Sequence, residues 1–134
     1  MATDVFVYGT LRSGEPNWMR YLNHEGAKLV SAAEHTWPEF GFVSLGGYPA
    51  LLTDFDGEKV SVLGEVYTVD APTLRALDRL EGHPSFYLRK KIKLASGRIA
   101  STYTMSAKRI EASKLPIISH GHWVRYAHGA ANVA

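Results

Sequence analysis

Four parts of this 134-residue chain carry groups that could do chemistry. The first is Glu81, which ends the run Leu77-Asp78-Arg79-Leu80-Glu81 and is followed by Gly82 and Pro84. In a helix ending there, Glu81 sits in the last turn, where the backbone dipole disfavours negative charge. Asp78, three residues earlier, adds a second negative charge on nearly the same face. Both effects are expected to raise the carboxyl pKa and make Glu81 a better base. The alternative is a surface carboxylate paired with Arg79, Arg89 or Lys90. The second part is Tyr8-Gly9-Thr10-Leu11-Arg12, a loop that leaves an apolar run and turns at Gly9. Successive N–H groups in such a turn can converge on a substrate carboxylate or on the oxyanion of an attacked carbonyl. The alternative is a plain turn at a strand end.

The third part is the histidine group of the tail, His120, His122 and His128. Two histidines at i and i+2 on a strand share a face, but no third ligand follows at close spacing, so a site without metal is expected. His24, His35 and His83 are scattered and suggest no triad. The fourth is the basic segment Arg89-Lys90-Lys91 with Lys93 and Arg98. Its alternation puts Arg89, Lys91 and Lys93 opposite Leu88, Ile92 and Leu94, the pattern of a solvated sheet face.

The elements that must position these groups are short. Val5 to Tyr8 reads as a strand buried on both faces. A brief helix follows around Trp18 to Leu22, with Asn17 as its candidate N-cap. Between Ala27 and Thr53, five prolines and glycines break the chain into short strand-like pieces. Val60 to Val69 reads as a strand with Val62, Gly64, Val66 and Thr68 on one face and Leu63, Glu65, Tyr67 and Val69 on the other. The clearest helix runs from Ala71 to about Leu80, with Asp70 as N-cap and an apolar stripe of Leu74, Leu77 and Leu80. Phe86 to Leu94 and Arg98 to Met105 form a hairpin around Ala95-Ser96-Gly97. The tail is irregular or briefly helical, and Gly129 to Ala134 are expected to fray. These elements predict an α+β fold: a small mixed, twisted and barrel-like sheet with a few short helices, in one domain over residues 1–134.

Composition narrows the function classes. The chain has no cysteine, which excludes disulfides, thiolate metal sites and cysteine nucleophiles. With 15 Lys+Arg against 13 Asp+Glu the net charge is +2, too small to suggest nucleic acid or a membrane surface as partner. Mean hydropathy is −0.13, and no apolar run approaches the roughly 20 residues of a spanning helix. The start, Met1 to Gly9, does not read as a signal peptide, so a cytoplasmic location is expected.

Several segments together are specific. Val5-Phe6-Val7-Tyr8-Gly9-Thr10-Leu11-Arg12, Gly47-Tyr48-Pro49-Ala50-Leu51, Gly64-Glu65-Val66-Tyr67 and Leu77-Asp78-Arg79-Leu80-Glu81-Gly82 with Tyr87 and Arg89 occur in order between residues 5 and 105. In this the chain resembles the γ-glutamylcyclotransferase-like family, and within it the γ-glutamylamine cyclotransferases. The resemblance implies the fold just described, no cofactor, and a small γ-glutamyl substrate converted to 5-oxoproline with release of its amine. It implies Glu81 as general acid and base, and Tyr8, Gly9, Thr10 and Leu11 as the loop that holds the substrate. Tyr87 and, from an aromatic tail at Trp123 to Tyr126, Tyr126 are the further implied pocket residues. Gly82-His83 after the glutamate departs from the family's pattern, and His83 is expected toward the leaving-group side. The alternative reading is a silent ligand-binding module on the same scaffold. A monomer or weak homodimer is expected.

Overall fold

The computed structural model describes residues 2–129. Seven strands form one curled, half-barrel sheet: β1 (Ala2–Val7), β2 (Ala27–His35), β3 (Gly41–Ser44), β4 (Pro49–Thr53), β5 (Leu63–Asp70), β6 (Leu88–Lys93) and β7 (Ile99–Ser106). Their order is β2-β5-β1-β7-β4-β3, with β6 paired to β7. β1 runs antiparallel to β5 and parallel to β7, so it lies at the centre. A central strand must be apolar on both faces, and Val5, Phe6 and Val7 are all buried.

The period of two along the strands divides the core. Val5 and Val7 of β1, Tyr67 and Val69 of β5, and Tyr103 and Met105 of β7 pack together on one face. Phe6, Val66 and Ala100 pack on the other, with Phe42 and Leu51. The first face is closed by helix α2 (Ala71–Glu81), which inserts the fully buried Leu77 and rests Leu74 and Leu80 on the same cluster. Asp70 caps α2, its side chain accepting from the Thr73 N–H at 2.9 Å. Gly82 ends it in a left-handed conformation, φ 68°, that a side chain would resist.

Several boundaries differ from the sequence reading. β5 begins at Leu63, because the N–H groups before it are taken elsewhere: Val62 donates to Thr36 Oγ1 and Val60 to the Phe40 carbonyl. β6 begins at Leu88, because Phe86 and Tyr87 still belong to the turn after α2. Helix α1 (Pro16–Tyr21) starts one residue before Asn17, with Glu15 at its N-cap and Pro16 in the first turn. The Asn17 amide is drawn away to Thr10 Oγ1 at 2.8 Å. His120 and His122 are not on a strand: His122 caps helix α3 (Trp123–His128), accepting from the Arg125 N–H. Residues 130–134, most of the segment expected to fray, lie outside the described residues. No helix among the described residues is long and apolar enough to cross a membrane.

Candidate active site

A cavity of about 480 Å³ opens where the end of β1, the β3–β4 turn and the end of α2 meet. Tyr8, Gly9, Thr10, Leu11, Glu81 and Tyr87, six of the seven residues expected at the site, line it. Tyr126 does not. Its ring stacks on Trp123 at 5.7 Å and packs against the other face of the core. α3 follows an irregular tail whose path the sequence does not encode in any periodic pattern.

Glu81 reaches the cavity because α2 ends there and the chain folds back over it. The Gly82 turn lets Phe86 donate to the Gly82 carbonyl at 2.8 Å and Tyr87 to the Glu81 carbonyl at 3.2 Å. That return places the Tyr87 ring beside the carboxylate. The Glu81 side chain makes no hydrogen bond or ion pair with another described residue. Burial alone pushes its pKa up to about 7. The cause differs from the one the sequence suggested. Asp78 contributes no such push, since Arg89 grips it through Nε at 2.9 Å and Nη2 at 3.2 Å, and Tyr103 donates to it at 2.7 Å. By taking Asp78, Arg89 is also kept away from Glu81.

The tyrosines are walls rather than free donors. Tyr8 donates to the Tyr103 carbonyl at 2.6 Å, and Tyr87 to the Pro49 carbonyl at 2.6 Å. Burial, reinforced by the nearby Glu81, raises both hydroxyls above their ordinary range, so both stay neutral. His83 is turned from the cavity, its Nδ1 accepting from the Arg89 N–H at 2.9 Å.

The loop after β1 is shaped by the Arg12 N–H bonding the Gly9 carbonyl at 3.0 Å and the Asn17 N–H bonding the Thr10 carbonyl at 3.1 Å. The N–H groups of Gly9, Thr10 and Leu11 donate to no other described residue. Backbone donors at a largely buried position require an acceptor, and a ligand anion would supply it. Gly9 does not adopt a positive φ. It is required for space, since a Cβ there would lie 2.8 and 2.9 Å from Cγ and Cδ of Pro49.

Sequence reasoning missed the knot that holds this loop. Glu65 of β5, 6% exposed, accepts from the Ser13 N–H at 2.9 Å, Ser13 Oγ at 3.0 Å and Arg12 Nε at 3.4 Å. An acidic residue on the core-facing side of a strand is the signal that could have found it. Tyr48, Pro49, Phe86 and Tyr103 were also missed as cavity residues. Among the described residues, no three His, Asp or Glu side chains are gathered as a metal site.

Comparison with known proteins bears on the family and the fold. The family model described as Gamma-glutamyl cyclotransferase, AIG2-like matches residues 5–125. A Vibrio cholerae protein, named provisionally as a gamma-glutamylcyclotransferase, is 40% identical over 119 residues, 89% of this chain and 93% of its own. Gamma-glutamylaminecyclotransferase C of Danio rerio is 34% identical over 111 residues, 75% of this chain and 73% of its own. The crystal structure of an AIG2-like protein from Mus musculus superimposes with a TM-score of 0.78 at 29% identity, covering 98% of this chain and 92% of that one. With the family model spanning most of its length, the chain belongs to the gamma-glutamyl cyclotransferase, AIG2-like family.

Proposed function

We propose that this protein converts a γ-glutamyl amine into 5-oxoproline and the free amine, with Glu81 as the proton carrier. The observation that carries the proposal is Glu81 itself, a carboxyl without a partner, held near neutral pKa in the cavity. A γ-glutamyl group holds both reactants of a ring closure. Its α-amine attacks its own side-chain carbonyl carbon, a C–N bond forms, and a five-membered ring results. The attack is intramolecular, so the protein chiefly has to hold the reactive rotamer.

Only the neutral amine is nucleophilic, and ionised Glu81 takes the proton from the ammonium. The carbonyl oxygen gains negative charge as the tetrahedral intermediate forms, and the N–H groups of Gly9, Thr10 and Leu11 are the donors available to it or to the substrate carboxylate. Protonated Glu81 delivers that proton to the leaving nitrogen, the C–N bond to the amine breaks, and Glu81 then takes the second proton from the ring nitrogen and passes it to the departing amine. Overall, two protons leave the ammonium nitrogen and two reach the departing amine, so nothing is oxidised, reduced or hydrolysed. A pKa near 7 suits both halves of the task, since the same group must accept and then donate.

The test is 5-oxoproline release from a panel of γ-glutamyl amines by the wild type and by Glu81→Gln. The wild type is expected to release it and the variant to lose turnover while remaining folded. Undiminished release by the variant would remove Glu81 from the mechanism. Binding without release by the wild type would favour a silent binding module.

A further inference from the structure

The cavity has two ends of different chemistry. At the inner end lie Glu81 and the N–H groups of Gly9, Thr10 and Leu11, which suit the charged γ-glutamyl part of a substrate. The outer end is aromatic. Tyr48 and Phe86 both line the cavity and remain 42% and 43% exposed. Their rings stand 6.4 Å apart at 70°, and Phe86 meets Tyr87 edge to face at 5.1 Å.

The backbone under each ring is tied down by hydrogen bonds. The Tyr48 carbonyl accepts from the Leu45 N–H at 2.8 Å, closing the β3–β4 turn. The Phe86 N–H is bound to the Gly82 carbonyl, and the Arg109 guanidinium donates to the carbonyls of Ser85 and Phe86. Large apolar rings kept at the mouth of a cavity usually have something to bind. Among the described residues, no Lys, Arg, His or Asp lines the cavity, and Glu81 is its only carboxylate. A cationic leaving group would find one counter-ion, already engaged by the substrate ammonium. A leaving group bearing a carboxylate would find no cationic side chain.

We infer that Tyr48 and Phe86 form the leaving-group subsite and select γ-glutamyl amines whose amine carries an uncharged aromatic body. The inference rests on the proposed reaction for its orientation, since that reaction fixes the glutamyl end at Glu81. Its energetic source is apolar contact at a pre-positioned pair of rings.

The experiment compares γ-glutamylbenzylamide, γ-glutamylmethylamide and the γ-glutamyl amide of 1,4-diaminobutane by kcat/KM for 5-oxoproline release. In parallel, calorimetry measures binding of the glutaric acid monoamides of the same three amines, which lack the α-amine and cannot cyclise. The benzyl compound is expected to exceed both others by roughly tenfold or more in each assay. Tyr48→Ala and Phe86→Ala, made separately, are each expected to shrink the benzyl-to-methyl ratio. Equal binding of the benzyl and methyl monoamides, a cationic compound at least as good as the benzyl one, or ratios untouched by both variants would overturn the subsite. Selective binding of the benzyl monoamide without 5-oxoproline from any conjugate would instead overturn the proposed reaction and leave the subsite standing.

Discussion

Glu65 is a buried carboxylate and Glu81 a partly buried one at the cavity, and the fold treats them in opposite ways. Glu65 is enclosed by the Ser13 N–H and hydroxyl, Arg12 and Tyr67. Glu81 has none of these and carries a pKa raised to about 7. A buried carboxylate with hydrogen-bond and ion-pair partners ties elements together, and losing one of those partners is costly. An unpaired one resists ionisation, and its reluctance is what makes it a competent base near neutral pH. Asp78 sharpens the contrast, because it lies three residues from Glu81 on the same helix and is fully engaged by Arg89 and Tyr103. The fold therefore withholds partners at one position while supplying them one turn earlier.

The largest effect that would break the comparison is at Glu81. Glu81→Gln should reduce turnover by roughly a thousandfold, as loss of a sole general base does. The same change should stabilise the protein at pH 8. Between the ordinary carboxyl pKa of 4.5 and the folded value of about 7, the folded chain retains a proton that the unfolded chain releases, so stability falls as pH rises through that window. Removing the group should restore up to about 3 kcal/mol at pH 8 and nothing below about pH 4.5, measured by denaturant unfolding at both pH values. A variant no more stable than wild type at pH 8 would mean that Glu81 is not held at a cost.

Glu65→Ala should give the reverse pattern. It leaves Arg12 and the Ser13 N–H without their acceptor and should cost about 3 kcal/mol of stability, read in the same unfolding experiment. Turnover should fall less than for Glu81→Gln, because the loop is loosened while the base remains. A smaller difference is expected within the loop. Gly9→Val drives its side chain into the Pro49 ring and should cost about 1 to 3 kcal/mol and most of the activity. Thr10→Ala, which removes a hydroxyl and its bond from Asn17, should cost less on both counts. Equal losses would indicate that side chains, not backbone shape, define the loop.

Much of the frame could be read from residue order. Asp70, Pro72 and the leucine stripe marked α2, and the apolar run at Val5 to Tyr8 marked a strand covered on both faces. Glu81 was identifiable as a carboxylate at an unfavourable helix end, but not the reason for its raised pKa. That reason is burial, produced where the turn after α2 folds Phe86 and Tyr87 back over the helix end. The Glu65 knot joins residues more than 50 apart in the chain, a pairing that local periodicity does not contain. Tyr126 shows the same limit in the other direction. Its residue type fits a pocket, but the irregular tail sets α3 against the other face of the core, where Tyr126 stacks on Trp123 three residues earlier in the same helix.

The central claim is that Glu81 is a proton carrier because burial leaves its carboxyl without a partner. The most direct measurement is an NMR titration of the Glu81 side-chain carboxyl carbon in the wild-type protein. The account predicts a midpoint near pH 7 and a kcat/KM for 5-oxoproline release that rises with pH through the same midpoint. A midpoint near 4.5, with release flat across neutral pH, would contradict it.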